Sequence, residues 1–588
     1  MSEDARPNPN ALTCSRYAST FAHMGEIYIY HDLYGYILKM SPDILEFFRA
    51  FADPALPDQV CSRYANAFGD MTPESLVGIF LEFGCLVAPG TNEMNAAWKT
   101  YAVKSRWNVW RREEDGGLTL FCGWGDRPVQ KVALDAKDAA IWDAIDGETK
   151  LSDLAAAHGA PRVERLVKKL AHQDVQAIKL AKVPMSYFEV AGRQHLKPPY
   201  LTSTMPYAPL DPDKAGDVKP LEDAFSPKAY YEHDVEDAEA QFDHQETTLS
   251  HLFRAPHPAL GGRTYGQALV DGLVDKGWLK TDGPLRVLEV GAGLGFVAQA
   301  VIGALQARGV DVRYDILELS PALAKAQRER LADLPVTVHE GDVLEAEWPL
   351  GEVDLFLSNE MIGDLPAVQL THSQVGLDKL TELDDDAYEA HFQAQLDKLG
   401  ATGEMIRKYT VPIGDAPEEF YLNTGAWRLI ERVAEHLAPG GLAVLTEFGE
   451  TGRYPVLSTQ LDHPELSIHF GHLMLIGGEL GLEPKFEFVM DLIGMDREAE
   501  GLATTRSYFK ALKALFAEHG VTLDKVGYTR AMLEEMTAGK LDLDRVGDLR
   551  FDRIEDRLMG LVPHEFKALV LTRPAAQPHA DEVAEAEA

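Results

Sequence analysis

Cysteine is scarce: four in 588 residues, Cys14, Cys61, Cys85 and Cys122, all in the first quarter and none in a C-x-x-C pair. Buried or free thiols are expected, and neither a zinc site nor a disulfide framework is indicated; no metal is expected elsewhere. Positive charge is short too, with 56 Lys and Arg against 93 Asp and Glu and a formal net charge of −37. Nucleic-acid affinity rests largely on clustered Lys and Arg, so no nucleic-acid partner is expected. No apolar run approaches a membrane span, and the opening MSEDARPNPN lacks a signal-peptide core. The expectation is a soluble, cytoplasmic protein with no membrane partner.

What is present is length, enough for roughly three or four domains. Residues 1–95 open with apolar alternation in GEIYIYHDLYGYILKM (Gly25–Met40), which predicts a β-hairpin. Helical patterns follow at Pro42–Ala52, Gln59–Phe68 and Pro73–Phe83. Residues 105–190 repeat the plan, with strands predicted at Leu118–Phe121 and Val129–Leu134 and helices at Ala136–Ile145, Lys150–His158 and Pro161–Gln173. Both read as small winged-helix-like α+β domains. Residues 191–220 are a Pro-rich linker, and 574–588 an acidic, disordered tail. Between them, 221–573 alternates strand and helix as a doubly wound, mostly parallel Rossmann-like α/β sheet does, with an acidic helical insertion at 369–423.

The chemistry centres on RVLEVGAGLGF (Arg286–Phe296), an apolar strand that stops at Glu289 and gives way to Gly291, Gly293 and Gly295 before an Ala-rich helix. Glycines there let the backbone turn tightly against a ligand. In a dinucleotide fingerprint the third glycine would fall on Phe296, so the spacing is G-x-G-x-G instead. In a sheet of this class the ligand lies beyond the carboxyl ends of the strands. Glu318 and Leu319 end the second strand, where an acid can accept hydrogen bonds from both hydroxyls of a ribose. Asp342 follows the third. Asn359 and Glu360 end the fourth, where an unpaired buried charge would be costly as mere structure.

The glycine loop resembles motif I of class I S-adenosylmethionine-dependent methyltransferases. ILELSPALAKAQRERL (Ile316–Leu331), SNEMIGDLPAV (Ser358–Val368), GGLAVLTEFGE (Gly440–Glu450), ELSIHFGHL (Glu465–Leu473) and HEFKALVLT (His564–Thr572) resemble, in order, blocks of the MidA-type methyltransferases, the family of a mitochondrial complex I assembly factor that methylates a protein arginine. The resemblance implies S-adenosylmethionine bound by Glu289, Gly291, Gly293, Gly295, Glu318, Leu319, Asp342 and Asn359. It implies a catalytic set of Asn359 and Glu360, with Asp364, Glu447 and His469 as further candidates for orientation or proton acceptance. The chain departs from the family pattern at Gly363, where an Asp is usual, at Glu447-Phe448-Gly449 in place of D-Y-G, and in lacking the glycine-rich G-D-F-x-T segment. Lys197-Pro198-Pro199-Tyr200 resembles the D/N-P-P-Y of amino-group methyltransferases, but with Lys at its first position and upstream of motif I.

The run from Leu134 to Val175 resembles PqqD-like leader-peptide recognition modules, and residues 1–95 do so more weakly. Together these imply methylation of a peptide or protein substrate, with arginine in a leader-containing precursor peptide favoured and a homodimer as the assembly considered. Small-molecule O- or N-methylation and a non-catalytic assembly protein on the same fold are the alternatives.

Overall fold

A computed structural model of the chain describes residues 8, 10–23, 26–68, 71–124, 128–186, 224–225, 227–235, 249–458, 465–503, 506–524, 526–557 and 565–575. The linker at 191–220, with its Pro-Pro-Tyr, lies outside them, as does the tail beyond 575. The chain forms two compact units. Among the described residues no helix is long and apolar enough to cross a membrane.

The first unit contains one plan twice. In the first copy Thr13–Cys14 pairs with Leu86–Val87. Between them lie an antiparallel meander of Ala18–His23, Glu26–His31 and Ile37–Met40 and three helices, Pro42–Arg49, Pro57–Arg63 and Pro73–Glu82. In the second copy Tyr101–Lys104 pairs with Ile178–Ala181 around the meander Asn108–Arg112, Leu118–Cys122 and Gln130–Leu134 and the helices Ala136–Ala144, Leu151–His158 and Ala160–Ala171. Local chemistry starts these helices. Pro stands in the first turn of each first-copy helix, where the missing N–H costs nothing. Asp135 caps the helix Ala136–Ala144 by accepting from the N–H groups of Lys137 and Asp138. Each expected hairpin gains a third strand, Ala18–His23 or Asn108–Arg112, whose apolar alternation is weak.

The range 221–573 expected for one methyltransferase domain is not one compact unit. Residues 503–523 and 531–550 belong to the first unit. Val546–Gly547 adds to the edge strand Asn108–Arg112, and a Cβ on Gly123 would lie 2.1 Å from the Ser507 carbonyl. Such pairings span some four hundred residues, so periodicity cannot reveal them.

The second unit is built on a sheet whose principal strands are β1 (Leu285–Val290), β2 (Val312–Glu318), β3 (Val336–Glu340), β4 (Val353–Asn359), β5 (Leu437–Glu450), β6 (Glu483–Phe488) and β7 (Phe566–Thr572), in the order 3-2-1-4-5-7-6. Strands β1 to β5 pair in parallel, and β7 runs antiparallel to both β5 and β6. Near-continuous apolar runs supply both faces, as buried parallel strands require. Val287, Leu355 and Val444 face one layer with helices α1 (Tyr265–Asp275) and α2 (Phe296–Gln306). Leu288, Phe356 and Leu445 face the other layer with α4 (Thr424–His436) and α5 (Phe470–Glu479). Helix α3 (Pro321–Arg330) follows β2. Two boundaries differ from expectation. Ala438-Pro439-Gly440-Gly441 reads in the sequence as a turn closing α4, but β5 runs through it, and its pairing with β4 is irregular between Val353 and Leu355. Phe486–Met490 reads in the sequence as a strand, but β6 ends at Phe488, and Val489 and Met490 open a short helix.

The insertion is helical, as its composition implies, over His372–Val375, Asp385–Lys398 and Ala401–Lys408. Asp384 caps the longest of these through the Ala387 N–H at 2.9 Å, with Asp385 and Asp386 in the first turn, where the helix dipole favours acids. Strands Ala367–Thr371 and Glu419–Leu422 pair across the insertion and close it.

Candidate active site

The glycine loop sits at the carboxyl end of β1. Gly291, Gly293 and Gly295 have φ of +63°, +52° and +80°, the left-handed region that side chains with a Cβ rarely enter. A Cβ on Gly291 would lie 2.6 Å from the Met361 side chain, whereas one on Gly293 would face open space. The chain therefore needs glycine at 291 for packing, and at 293 for its turn and for backbone open to a ligand.

Three acids flank the loop. Glu289 is buried, accepts the Tyr314 hydroxyl at 2.7 Å, and is pushed up to about 7 by burial. Glu318 is buried too, accepting from the Ser320 N–H at 3.0 Å and the Gln327 amide at 2.8 Å. Burial also raises it to about 7, against the lowering effect of those N–H groups. The half-buried Leu319 follows it, and the Leu319 N–H also favours the ionised carboxylate. Asp342 accepts from the Leu344 N–H at 2.8 Å and from Lys228 Nζ at 2.7 Å. Each carboxylate oxygen has two lone pairs, so these bonds leave acceptor capacity for ribose hydroxyls or an amino group. An open glycine turn between strand-end acids fits S-adenosylmethionine.

At the end of β4, Asn359 Oδ1 accepts hydrogen bonds from the Tyr265 hydroxyl and the Thr446 hydroxyl, both at 2.7 Å. Glu360 has φ +50°, a left-handed conformation that a glutamate holds only where its surroundings enforce it, and its N–H donates to the Thr446 carbonyl at 3.0 Å. Beyond it Asp364 Oδ2 accepts from the Tyr231 hydroxyl at 2.7 Å.

Glu447, on β5, is 0% exposed; it accepts the Phe448 N–H at 2.9 Å and, weakly, the Gly363 N–H at 3.4 Å. Burial first, and Glu360 second, push Glu447 well above the carboxylate range. Glu465 behaves alike, raised by burial and then by Glu447, Asp364 and Glu360. A Cβ on Gly363 would lie 2.7 Å from the Leu466 carbonyl, so glycine at that position lets the backbone pass close to the stretch that follows Glu465. That close passage leaves no room for the Asp of the MidA-type pattern. Four carboxylates, from Glu360, Asp364, Glu447 and Glu465, thus act on one another, and like charges in such ground cannot all ionise. Among the described residues no group of His, Cys, Asp and Glu is arranged to hold a metal ion.

His469 stands differently. Its Nδ1 accepts the His472 N–H at 3.2 Å at the start of α5, its own N–H donates to Asn423, and its ring stacks on His472 at 3.6 Å between centroids. Burial lowers both imidazoles, His472 to about 3. Its contacts are those of a helix cap rather than of the carboxylate group.

Sequence reasoning missed Tyr231, Lys228, Tyr265, Thr446 and Glu465. Glu465 opens the block ELSIHFGHL, but one acid at the start of a strand carries no mark of its destination. Tyr265 follows the capping box of Thr264 and Gln267 and reads only as the first residue of a helix.

Residues 274–463, roughly a third of the chain, match the model of a family described as "Putative S-adenosyl-L-methionine-dependent methyltransferase". The match contains the glycine loop, Glu318, Asp342, Asn359, Glu360, Asp364 and Glu447. A curated relative, the non-reducing polyketide synthase sorB of Penicillium rubens, is 32% identical over 91 residues, which are 16% of this chain. The chain spans only 3% of that relative's length. Among solved structures, a Burkholderia thailandensis protein described as a "likely methyl transferase", bound to S-adenosyl-homocysteine, is similar at 15% identity over 57% of this chain and 80% of its own, with a TM-score of 0.31. Phosphoethanolamine N-methyltransferase 2 of Haemonchus contortus is similar at 14% identity over 58% and 60%, with a TM-score of 0.28. With scores this low it is the family match that bears on function. Residues 274–463 are the part of this chain that is similar to S-adenosylmethionine-dependent methyltransferases.

Proposed function

We propose that the protein methylates a cationic nitrogen, with an arginine guanidinium of a peptide or protein as the favoured target. The observation that carries this reading is the group of four carboxylates beyond β4 and β5. Glu447 and Glu465 are raised because ionisation there is opposed by burial and by their neighbours. A cation entering between them relieves that opposition, whereas a neutral hydroxyl would not. Guanidinium stays charged in water, with a pKa above about 12, and its planar fork suits bidentate carboxylates.

S-adenosylmethionine, when bound, supplies a methyl group on a sulfonium that already carries its leaving group. The protein's share is therefore positioning, worth up to roughly 7–11 kcal/mol in well-oriented cases. Gly291, Gly293, Gly295, Glu289, Glu318, Leu319 and Asp342 would hold the cofactor. Glu360 would clamp one side of the guanidinium and leave the other nitrogen exposed. Glu447 and Glu465, whose ionisation burial and their neighbours oppose, would ionise more readily as the cation enters, and Asp364, oriented by Tyr231, is the candidate acceptor for the proton released on transfer.

The two repeated modules would serve as leader-binding, winged-helix-like capture domains, raising the local concentration of the target to about millimolar where the linker spans the gap. The test is labelled methyl transfer, read by mass spectrometry, to peptides encoded beside the protein and co-expressed with it. A mass gain of one methyl per transfer on arginine is expected, and a methylated small molecule with unmodified peptide would reject the reading. Glu360→Gln should reduce transfer at least a hundredfold while leaving S-adenosylhomocysteine affinity within threefold; retained turnover would remove Glu360 from its role.

A further inference from the structure

Asn359 ends β4 level with Thr446 of β5, one residue beyond the Ser358–Val290 pairing with β1, and so stands beside the glycine loop. Its amide oxygen receives two O–H groups, from Tyr265 and Thr446, both at 2.7 Å. A carbonyl oxygen has two lone pairs, and both are used. Tyr265 is fully buried on α1, and burial with Glu360 and Glu289 nearby keeps its hydroxyl protonated, hence able to donate. Asn359 itself is half-buried, and among the described residues both of its side-chain hydrogen bonds are made by Oδ1 and none by Nδ2. The side chain is thus saturated as an acceptor and presents two N–H donors.

We propose that Tyr265 and Thr446 are positioning residues that fix the Asn359 amide with its nitrogen toward the cleft, where it holds a carboxylate or carbonyl oxygen instead of accepting a hydrogen from the nitrogen being methylated. This separates Asn359 from its neighbour Glu360. One is a donor for an anionic or carbonyl group, the other an acceptor for a cation, and the sharp φ +50° turn at Glu360 lets adjacent residues serve opposite ends of the site. The oxygen has two candidate sources, the amino-acid carboxylate of the cofactor and an oxygen of the acceptor. The first source rests on the cofactor alone, and the second rests also on the proposed arginine-containing acceptor.

The experiment measures, by calorimetry on the full-length protein, the affinities of S-adenosylhomocysteine and of 5′-methylthioadenosine, which has the nucleoside but no amino-acid carboxylate. Asn359→Asp replaces the two donors with an acceptor of the same shape. If the oxygen belongs to the cofactor, Asn359→Asp weakens S-adenosylhomocysteine tenfold or more and 5′-methylthioadenosine less than twofold. If it belongs to the acceptor, both affinities hold and the KM for an arginine-containing peptide rises tenfold or more with kcat within threefold. Tyr265→Phe combined with Thr446→Val releases the amide and should produce the same selective loss at about threefold, which Thr446→Ser restores. Unchanged affinities and KM in Asn359→Asp would overturn the inference, as would equal weakening of both nucleosides. Should Asn359→Asp fail to fold, the double variant and its serine rescue decide the matter by the same affinity ratio.

Discussion

Two side chains, Glu289 and Glu318, carry most of the pH behaviour expected of the cofactor end. Each is a carboxyl that burial has raised to about 7. Ribose hydroxyls donate to an ionised carboxylate far better than to a protonated one. In the free protein each therefore holds a proton below about pH 7 that binding must expel. S-adenosylhomocysteine should accordingly bind more tightly as pH rises from 6 to 8, by up to about tenfold per unit for each proton displaced, with the gain levelling off once the free protein has lost that proton. Calorimetry across that range checks the sign, and Glu318→Gln should lower the slope by one proton, leaving that of Glu289. A flat profile in the wild-type protein would mean that Glu318 does not meet the cofactor ionised.

At the scale of elements, the first unit contains an unusual strand residue. Lys179, in Ile178–Ala181, is fully buried; its Nζ lies 4.9 Å from the Trp107 ring centroid and has no hydrogen-bond partner among the described residues. Its stem passes where Gly35, at φ +67°, leaves room, since a Cβ there would approach Lys179 Cδ to 2.4 Å. Strand and loop are thus fitted to each other between the two repeated copies. Burial lowers the ammonium to about 7. The folded protein then binds fewer protons than the unfolded chain between about pH 7 and the lysine's ordinary 10.5, so stability rises with pH across that window. Lys179→Met should stabilise the protein at pH 7 by on the order of 2–4 kcal/mol, an advantage that shrinks toward pH 10, as thermal unfolding would record. A destabilised Met variant would show that the amine has a partner in solution.

Elements also show why some readings of the sequence held and others did not. β1, β2 and β4 end within one residue of Glu289, Glu318 and Asn359, as the sequence places them, because apolar strand runs ended by glycine or acid are local signals. His469 looked like chemistry because of its block, yet its Nδ1 caps α5, and which use a histidine serves depends on what packs around it. Glu465 looked like nothing and stands among the carboxylates for the same reason.

At the scale of the whole molecule, the discontinuity of the first unit has a practical consequence. Residues 503–523 and 531–550 complete it, with the helix Arg506–Ala517 and the strand Val546–Gly547 set on the meander of the second copy. A fragment of residues 1–208 alone would expose the edge of Asn108–Arg112, an invitation to aggregation. It should unfold at least 10 °C below, or aggregate sooner than, a mixture in which residues 503–550 are supplied, by thermal denaturation with light scattering. Equal stability of the two would show the added segment to be dispensable.

The sequence by itself determined the local features: the glycine turn after β1, the acids at the ends of β2 and β4, the strand and helix alternation, and the repeated plan at the N-terminus. Each follows from backbone freedom, strand periodicity or helix capping, which act over a few residues. Tertiary structure alone decided that Tyr265 and Thr446 saturate one oxygen of Asn359, that Glu447 and Glu465 meet Glu360 and Asp364, and that a late segment returns to complete the first unit. These depend on burial and on contacts between distant stretches of chain, whose energies exist only once the sheet has formed.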